Sequence, residues 1–247
     1  MIASERRRYI LEGLNTKGIL GIKETAKELG IAEITLRRDF EKLEKEGKLK
    51  RVQGGATLEE AEEVAELTMR KKIMLNLPEK ETIGAYAKTL VKEGDCVFLD
   101  GGTTMIPLAK MLSKMPITIV TYNILALNKL LNATAEVIII GGKYIPSYNM
   151  NVGPIAQEML KQFAFDIAFI GCSGVNLPQK TIYSAEMESL TMKRIAMDNA
   201  LKSYLLVDCT KFSKRGFFKL SEFSEYEAVI CNAFDRPQEM PENMVIV

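Results

Sequence analysis

TLRRDFEKLEKEGKLKRVQGGA, residues 35–56, sets basic side chains along a helical stretch, stops at Gly47 and continues into a short basic segment ending at Gly54-Gly55. Charge runs most often only keep a helix face in water, so the spacing around this one has to decide. In residues 31–47, Leu36, Phe40 and Leu43 fall at i, i+4 and i+7 and predict one buried stripe. At about 100° per residue, Arg38 and Lys45 point away from that stripe, with Thr35 and Arg37 on its flanks. The free face is rich in donors for phosphates and base edges.

Two shorter patterns come before it. Ser4 is placed to cap a first helix whose Tyr9, Ile10 and Leu14 recur at helical spacing, ending near Lys17-Gly18. A second helix over IKETAKELG turns Ala26 and Leu29 inward and stops at Gly30. A short helix, a glycine-containing turn and a helix with a polar outer face form a helix-turn-helix, whose second helix enters the major groove. Behind it, Leu49 and Val52 alternate with Lys48, Lys50 and Arg51 as in a small hairpin, with Gly54-Gly55 as the permissive turn. A basic hairpin there is a wing, suited to phosphates or the minor groove. Both parts of the quoted stretch are thus arranged to meet double-stranded DNA, with Thr35, Arg37 and Arg38 on the helix and Lys48, Lys50 and Arg51 on the wing.

The whole chain fits a small domain followed by a larger one: it has 247 residues. Residues 1–56 hold 13 Lys/Arg against 9 Asp/Glu, a net +4, and the remaining 20 against 23 give −3, so a basic head precedes a mildly acidic body. No stretch is long and apolar enough to cross a bilayer, and MIASERRRYILEGL lacks a signal-peptide core, which predicts a cytoplasmic protein without membrane contact. Cys96, Cys172, Cys209 and Cys231 show no CxxC spacing and read as reduced thiols. The chain contains no histidine, which excludes Ser-His and Cys-His catalysis and His-ligated metals. No cofactor, metal or catalytic residue is expected.

Residues 57–80 are first acidic, then basic, and read as a helical or partly ordered linker. From 81 to 247, the apolar runs 96–100, 117–121, 136–140, 166–171 and 203–208 alternate with helical patterns. That alternation predicts a doubly wound, mainly parallel sheet, with ligands bound beyond the carboxyl ends of its strands. Asp100-Gly101-Gly102-Thr103-Thr104 stands at such an end, just before a helix with Pro107 in its first turn. Glycines admit a ligand close to the backbone, and free amides with threonine hydroxyls at a helix start make an anion site. It is neither a P-loop nor a GxGxxG fingerprint. Lys143, Lys193 and Lys211 also lie near strand ends. Singly they read as surface charges; converging on the glycine-threonine turn they would complete the anion site.

ERRRYILEGLNTKG and ETAKELGIAEITLRRDFEKLEKEGKLKRVQGGA resemble the winged helix-turn-helix of the DeoR-type bacterial transcription regulators. Gln53 stands where that family often has histidine. The body resembles the family's sensor domain, a fold shared with ribose-5-phosphate isomerase, through DGGTT, IGG, VGP, DIAFIG, MKR and VDCTKF in that order. The resemblance implies an α/β protein that represses carbohydrate-uptake or catabolic genes as a homodimer or homotetramer on an operator. It also implies a phosphorylated sugar effector, held by Asp100, Gly102, Thr103 and Thr104 at one end and by Lys143, Lys193 and Lys211 at the other. Tyr122 departs from the family's T-N-[SA] and adds bulk beside the pocket, and the arginine usual after the glycine pair is missing near Lys143. Isomerases of this fold carry an acidic G-A-D-E loop, here Gly171-Cys172-Ser173-Gly174, which speaks against proton-transfer catalysis. Two alternatives stay open: a sugar-phosphate enzyme with a DNA-binding appendage, and a constitutive DNA-binding protein whose pocket Tyr122 closes.

Overall fold

The computed structural model describes residues 2–17, 19–46, 48–52, 54–57, 69, 72–214, 216–233 and 240–247. Gly18, Gly47, Gln53, Arg70 and most of the expected linker, residues 58–68, lie outside them. The chain forms two compact units, Met1–Thr68 and Met69–Val247.

The first unit comprises α1 (Ala3–Lys17), β1 (Ile19–Gly21), α2 (Ile22–Leu29), α3 (Glu33–Lys45), β2 (Lys50–Val52) and β3 (Gly55–Thr57). Gly30 ends α2 in the left-handed region, at φ 62° and ψ 37°, and the Ile31 amide then closes on the Ala26 carbonyl at 3.0 Å. Leu36, Phe40 and Leu43 of α3 are almost fully buried and pack with Ile10 and Leu14 of α1, Ala26, and Leu49 beside the wing. The wing is a three-stranded antiparallel sheet in the order β1-β3-β2, to which Ile19–Gly21 adds a strand that the hairpin reading did not foresee. A side chain at Gly55 would meet the Leu20 carbonyl oxygen at 2.3 Å, which explains a glycine where β3 lies against β1. Helix α1 begins at Ala3, so Ser4 sits inside its first turn rather than capping it. Tyr9 lies outside the core, its hydroxyl 3.3 Å from Glu28, and Val52 is likewise exposed.

Asp39 of α3 is buried against α1, 2.7 Å from the Arg6 guanidinium and 3.9 Å from that of Arg7, which also reaches Glu46 at 3.7 Å. This carboxylate ties α3 to α1. Asp39→Asn is expected to lower the unfolding free energy of this unit by about 1–2 kcal/mol, because a hydrogen bond to a charged group is lost in a partly screened setting. Urea unfolding followed at the helical signal measures it, and an unchanged midpoint would show the pair to be net neutral.

The second unit is built on a parallel sheet of β4 (Cys96–Leu99), β5 (Thr118–Thr121), β6 (Glu136–Ile139), β9 (Phe165–Gly171), β12 (Ala200–Val207), β14 (Ala228–Cys231) and β15 (Met244–Ile246), in the order β15-β14-β12-β9-β4-β5-β6. Both faces are covered. Val97 and Leu99 of β4 pack with α4 (Leu77–Lys88), α5 (Met105–Leu112) and α6 (Ile124–Leu130), whereas Phe98 packs with α7 (Pro154–Leu160) and α8 (Met187–Asp198). The continuous apolar runs follow from this double burial. Two small antiparallel additions complete the unit: the hairpin of β7 (Lys143–Ile145) with β8 (Met150–Val152), and the sheet of β10 (Gly174–Asn176), β11 (Thr181–Ser184) and β13 (Phe218–Glu222). Residues 72–80, read from the sequence as linker, belong to this unit: Lys80 and Ile83 of α4 are buried in it. From β4 the strand order runs outward to β5 and β6 on one side, and from β9 to β12, β14 and β15 on the other. The switch point therefore lies between β4 and β9.

Candidate functional site

On the first unit, the solvent face of α3 presents Arg37 and Arg38, with Thr35 half-buried beside them. Arg37 lies 3.8 Å from Glu33, one helical turn back. Arg38 and Lys50 have no ion-pair partner among the described residues, whereas Lys48 reaches Glu46 at 2.8 Å. Arg51 is the most engaged of the six: its backbone amide and guanidinium hold Glu44 at 2.9 and 2.6 Å, and Glu41 lies at 3.1 Å. The amide contact first, then the guanidinium, holds the Glu44 carboxyl below its ordinary range.

In the second unit, a cavity of about 310 Å³ opens over the carboxyl ends of β4 and β9, the size of a small-metabolite pocket. Asp100, the residue after β4, is fully buried at its floor. One carboxylate oxygen accepts from the Tyr122 hydroxyl; the other accepts from the Lys193 ammonium and, at 2.9 Å, from the Gly171 amide. Lys193 also donates to the Gly171 carbonyl at 3.0 Å, which leaves one of its three N–H bonds for a ligand. Asn123 donates to the carbonyls of Asp100 and Gly102 at 3.2 Å each, fixing the turn from beneath. Among the described residues, the amides of Gly102, Thr103 and Thr104 donate no backbone hydrogen bond, and they stand at the start of α5. That is the arrangement of an anion site.

The electrostatics agree. Among the described residues the walls bring Lys72, Lys193, Lys211 and Lys214 against Asp100 and Glu186, four cations facing two carboxylates, a net +2. Burial, reinforced by Lys211 and Lys214, pushes the Lys72 ammonium below its ordinary range. A bound anion would offset the repulsion that Lys211 and Lys214 exert on Lys72. Burial pushes the Cys172 thiol up to about 12, and Ser173 donates to the Tyr183 carbonyl at 3.1 Å.

The geometry brings Asp100, Gly102, Thr103, Lys193 and Lys211 together as the sequence suggested. Two residues of the expected set lie elsewhere. Thr104 is buried at the start of α5 and offers the site its backbone amide, its side chain not lining the cavity, and Lys143 is exposed on β7, outside the walls. The Tyr122 ring is buried against Phe98, centroids 6.0 Å apart, so its bulk lies under the floor and the cavity is open. Sequence reasoning missed Lys72 and Lys214, which sit in a charged run and a loop, and Glu186, a single carboxylate ahead of α8. Burial pushes the Glu186 carboxyl up, opposed by the Tyr148 hydroxyl and Lys72. Among the described residues no group of three or more His, Cys, Asp or Glu side chains is placed to hold a metal, and no helix is long and apolar enough to cross a membrane.

A winged helix-turn-helix in one chain with a parallel α/β unit that carries a cavity at its switch point is the architecture of a transcription regulator. The chain belongs to the DeoR family: residues 6–62 match the DeoR-like helix-turn-helix domain and residues 75–233 the DeoR C-terminal sensor domain. It is 34% identical over 247 residues to the lactose phosphotransferase system repressor of Lactococcus lactis, covering 98% of this chain and 96% of that protein. An HTH-type transcriptional regulator of Haemophilus influenzae is 30% identical over 245 residues, covering 98% and 93%. Among solved structures, a ribose 5-phosphate isomerase from Methanocaldococcus jannaschii aligns with 54% of this chain and 53% of its own at 19% identity, with a TM-score of 0.40.

Proposed function

We propose that the protein represses carbohydrate-uptake or catabolic genes in the cytoplasm, and that a phosphorylated sugar in the cavity of the second unit alters its hold on the operator. The observation that carries this reading is the net +2 cavity at the switch point, walled by the Gly101-Gly102-Thr103 turn and lysines. A phosphate monoester brings about −1.5 to −2 at pH 7, which matches that charge. Lys193, Lys211, Lys214 and Lys72 supply the cationic wall, Thr103 and the free amides the donors, and Glu186 an acceptor for sugar hydroxyls. Arg37 and Arg38 with Thr35 read the major groove, and Lys48 and Lys50 hold phosphates. Arg51 reaches DNA only in competition with Glu41 and Glu44. Palindromic operators call for a homodimer or homotetramer. The effector works by preferring one functional state of the chain, since equal affinity for both shifts nothing. The relatives bear regulator names, and the Asp100 carboxylate has both oxygens engaged, which supports a binding role over turnover.

The test is thermal melting against a panel of pentose and hexose phosphates, followed by operator titration with the most stabilising one. A true effector at 100 times its dissociation constant raises stability by about 2.7 kcal/mol and changes operator affinity. Absence of any shift across the panel would overturn the sugar-phosphate reading, and product formation from any member would overturn the non-enzymatic one.

A further inference from the structure

Lys80 stands in the first turn of α4, where the helix dipole disfavours a cation, and it is only 4% exposed. A lysine is rarely buried without a paired charge, yet among the described residues no carboxylate lies at ion-pair distance from it. Its ammonium donates instead to the Lys72 carbonyl at 2.5 Å and to the Thr103 hydroxyl oxygen at 3.2 Å. Those two contacts reach opposite parts of the anion cavity: Thr103 belongs to the glycine turn, and Lys72 is on the cationic wall. Because an ammonium can only donate, it occupies a lone pair of the Thr103 oxygen and leaves the hydroxyl proton free to donate elsewhere.

We propose that Lys80 is a positioning residue of the anion site, holding the Thr103 hydroxyl as a donor to bound phosphate and fixing the main chain that carries Lys72. The inference rests on the reading that the cavity takes a phosphorylated ligand. It explains a buried lysine in an unfavourable place: the cation is kept for what it does to Thr103. Burial lowers the Lys80 ammonium to about 8, with Lys211 adding to the effect and Asp208 and Glu79 opposing it; Lys72 and Thr103 are the other groups against it. Below that pH the charged form orients Thr103. Above it the neutral amine accepts the hydroxyl proton and withdraws the donor. A phosphate monoester, with its second pKa at about 6, is essentially a dianion above pH 7.5, where the Lys80 step is read; inorganic phosphate still exchanges its second proton near neutrality, so its titrations are compared only between wild type and variants at the same pH. Lys72 also titrates low but is common to the wild type and the variants, so their difference isolates Lys80.

The experiment is calorimetric titration of the full chain with glucose 6-phosphate and with inorganic phosphate from pH 6.5 to 9.5, comparing wild type, Lys80→Met and Lys80→Arg. Wild-type affinity is expected to hold below pH 8 and then fall, by up to about tenfold per unit for one linked proton. Lys80→Met should bind roughly ten- to a hundredfold more weakly at pH 7, the loss expected for a charge-assisted hydrogen bond, and should lack the step near 8. Lys80→Arg, which keeps its proton, should restore most of the affinity at pH 7 and also lack the step. Wild-type affinity and an unchanged pH profile in Lys80→Met would overturn the proposal. If that variant does not fold, as judged by circular dichroism, a step persisting in Lys80→Arg would overturn it instead. Failure of the wild type to bind either anion at any pH strikes the sugar-phosphate reading itself, an outcome distinct from both.

Discussion

Lys193→Met is expected to lower the stability of the second unit by about 3–5 kcal/mol, because it removes the cation facing a carboxylate that stays buried. Asp100 is fully buried and Lys193 nearly so, and the methionine chain fills the same space without a charge. The Tyr122 hydroxyl and the Gly171 amide still donate to Asp100 in the variant, which places the loss toward the lower end of that range. Adding Asp100→Asn should recover much of it, since a neutral amide no longer needs the cation. Urea unfolding of the wild type, both single variants and the double variant gives the coupling energy directly. A cost below about 1 kcal/mol for Lys193→Met would mean that water or another cation compensates Asp100. The result also separates two roles of one residue. Lys193 has a single N–H left for a ligand, so its main work is to hold the floor of the cavity, and lost effector binding in this variant is to be read only beside its stability.

The head was legible because its constraints are local. Leu36, Phe40 and Leu43 at i, i+4 and i+7 admit one helix face toward a core, and Gly30 can only end the helix before it. In the body, the five apolar runs became β4, β5, β6, β9 and β12, and the residues after β4 fell at the switch point as alternating strands and helices require. The strands β7, β8, β10, β11 and β13 escaped notice: at three to five residues each they are too short to show a period, and β11 finds its second partner, β13, far along the chain. Strand β14 and the edge strand β15 lie beyond the last run considered. Site residues divide on the same principle. Asp100, Gly102 and Thr103 sit in one turn and could be read together. Lys72, Lys80 and Glu186 come from three separate segments, and only the fold assembles them around the cavity or behind its wall. Lys143 shows the converse: its place after a glycine pair looked equivalent to the other strand ends, but the β7–β8 hairpin carries it away. Tyr122 was legible as bulk but not as direction, and its hydroxyl bond to Asp100 turns the ring under the floor.

Arg38→Ala should weaken operator binding by about 1–3 kcal/mol per copy, the worth of a side chain that reads a base edge, and by roughly twice that where two copies engage two half-sites. The residue is exposed on α3 and has no ion-pair partner among the described residues, so fold stability should change by less than about 0.5 kcal/mol. A loss of binding is then a loss of contact. Lys50→Ala, on the exposed wing strand, is the matched control: it should weaken specific and non-specific binding alike and reduce the slope of log affinity against log salt by about one per copy. Arg51→Ala should do less to DNA than its charge suggests, because its guanidinium is already committed to Glu41 and Glu44. Fluorescence anisotropy on operator and on scrambled duplex, across a salt series, distinguishes the three. Wild-type operator affinity in Arg38→Ala would move the reading face off α3. A fall that is equal on operator and scrambled DNA would demote Arg38 from base reader to phosphate contact and pass the specificity to Thr35 and Arg37.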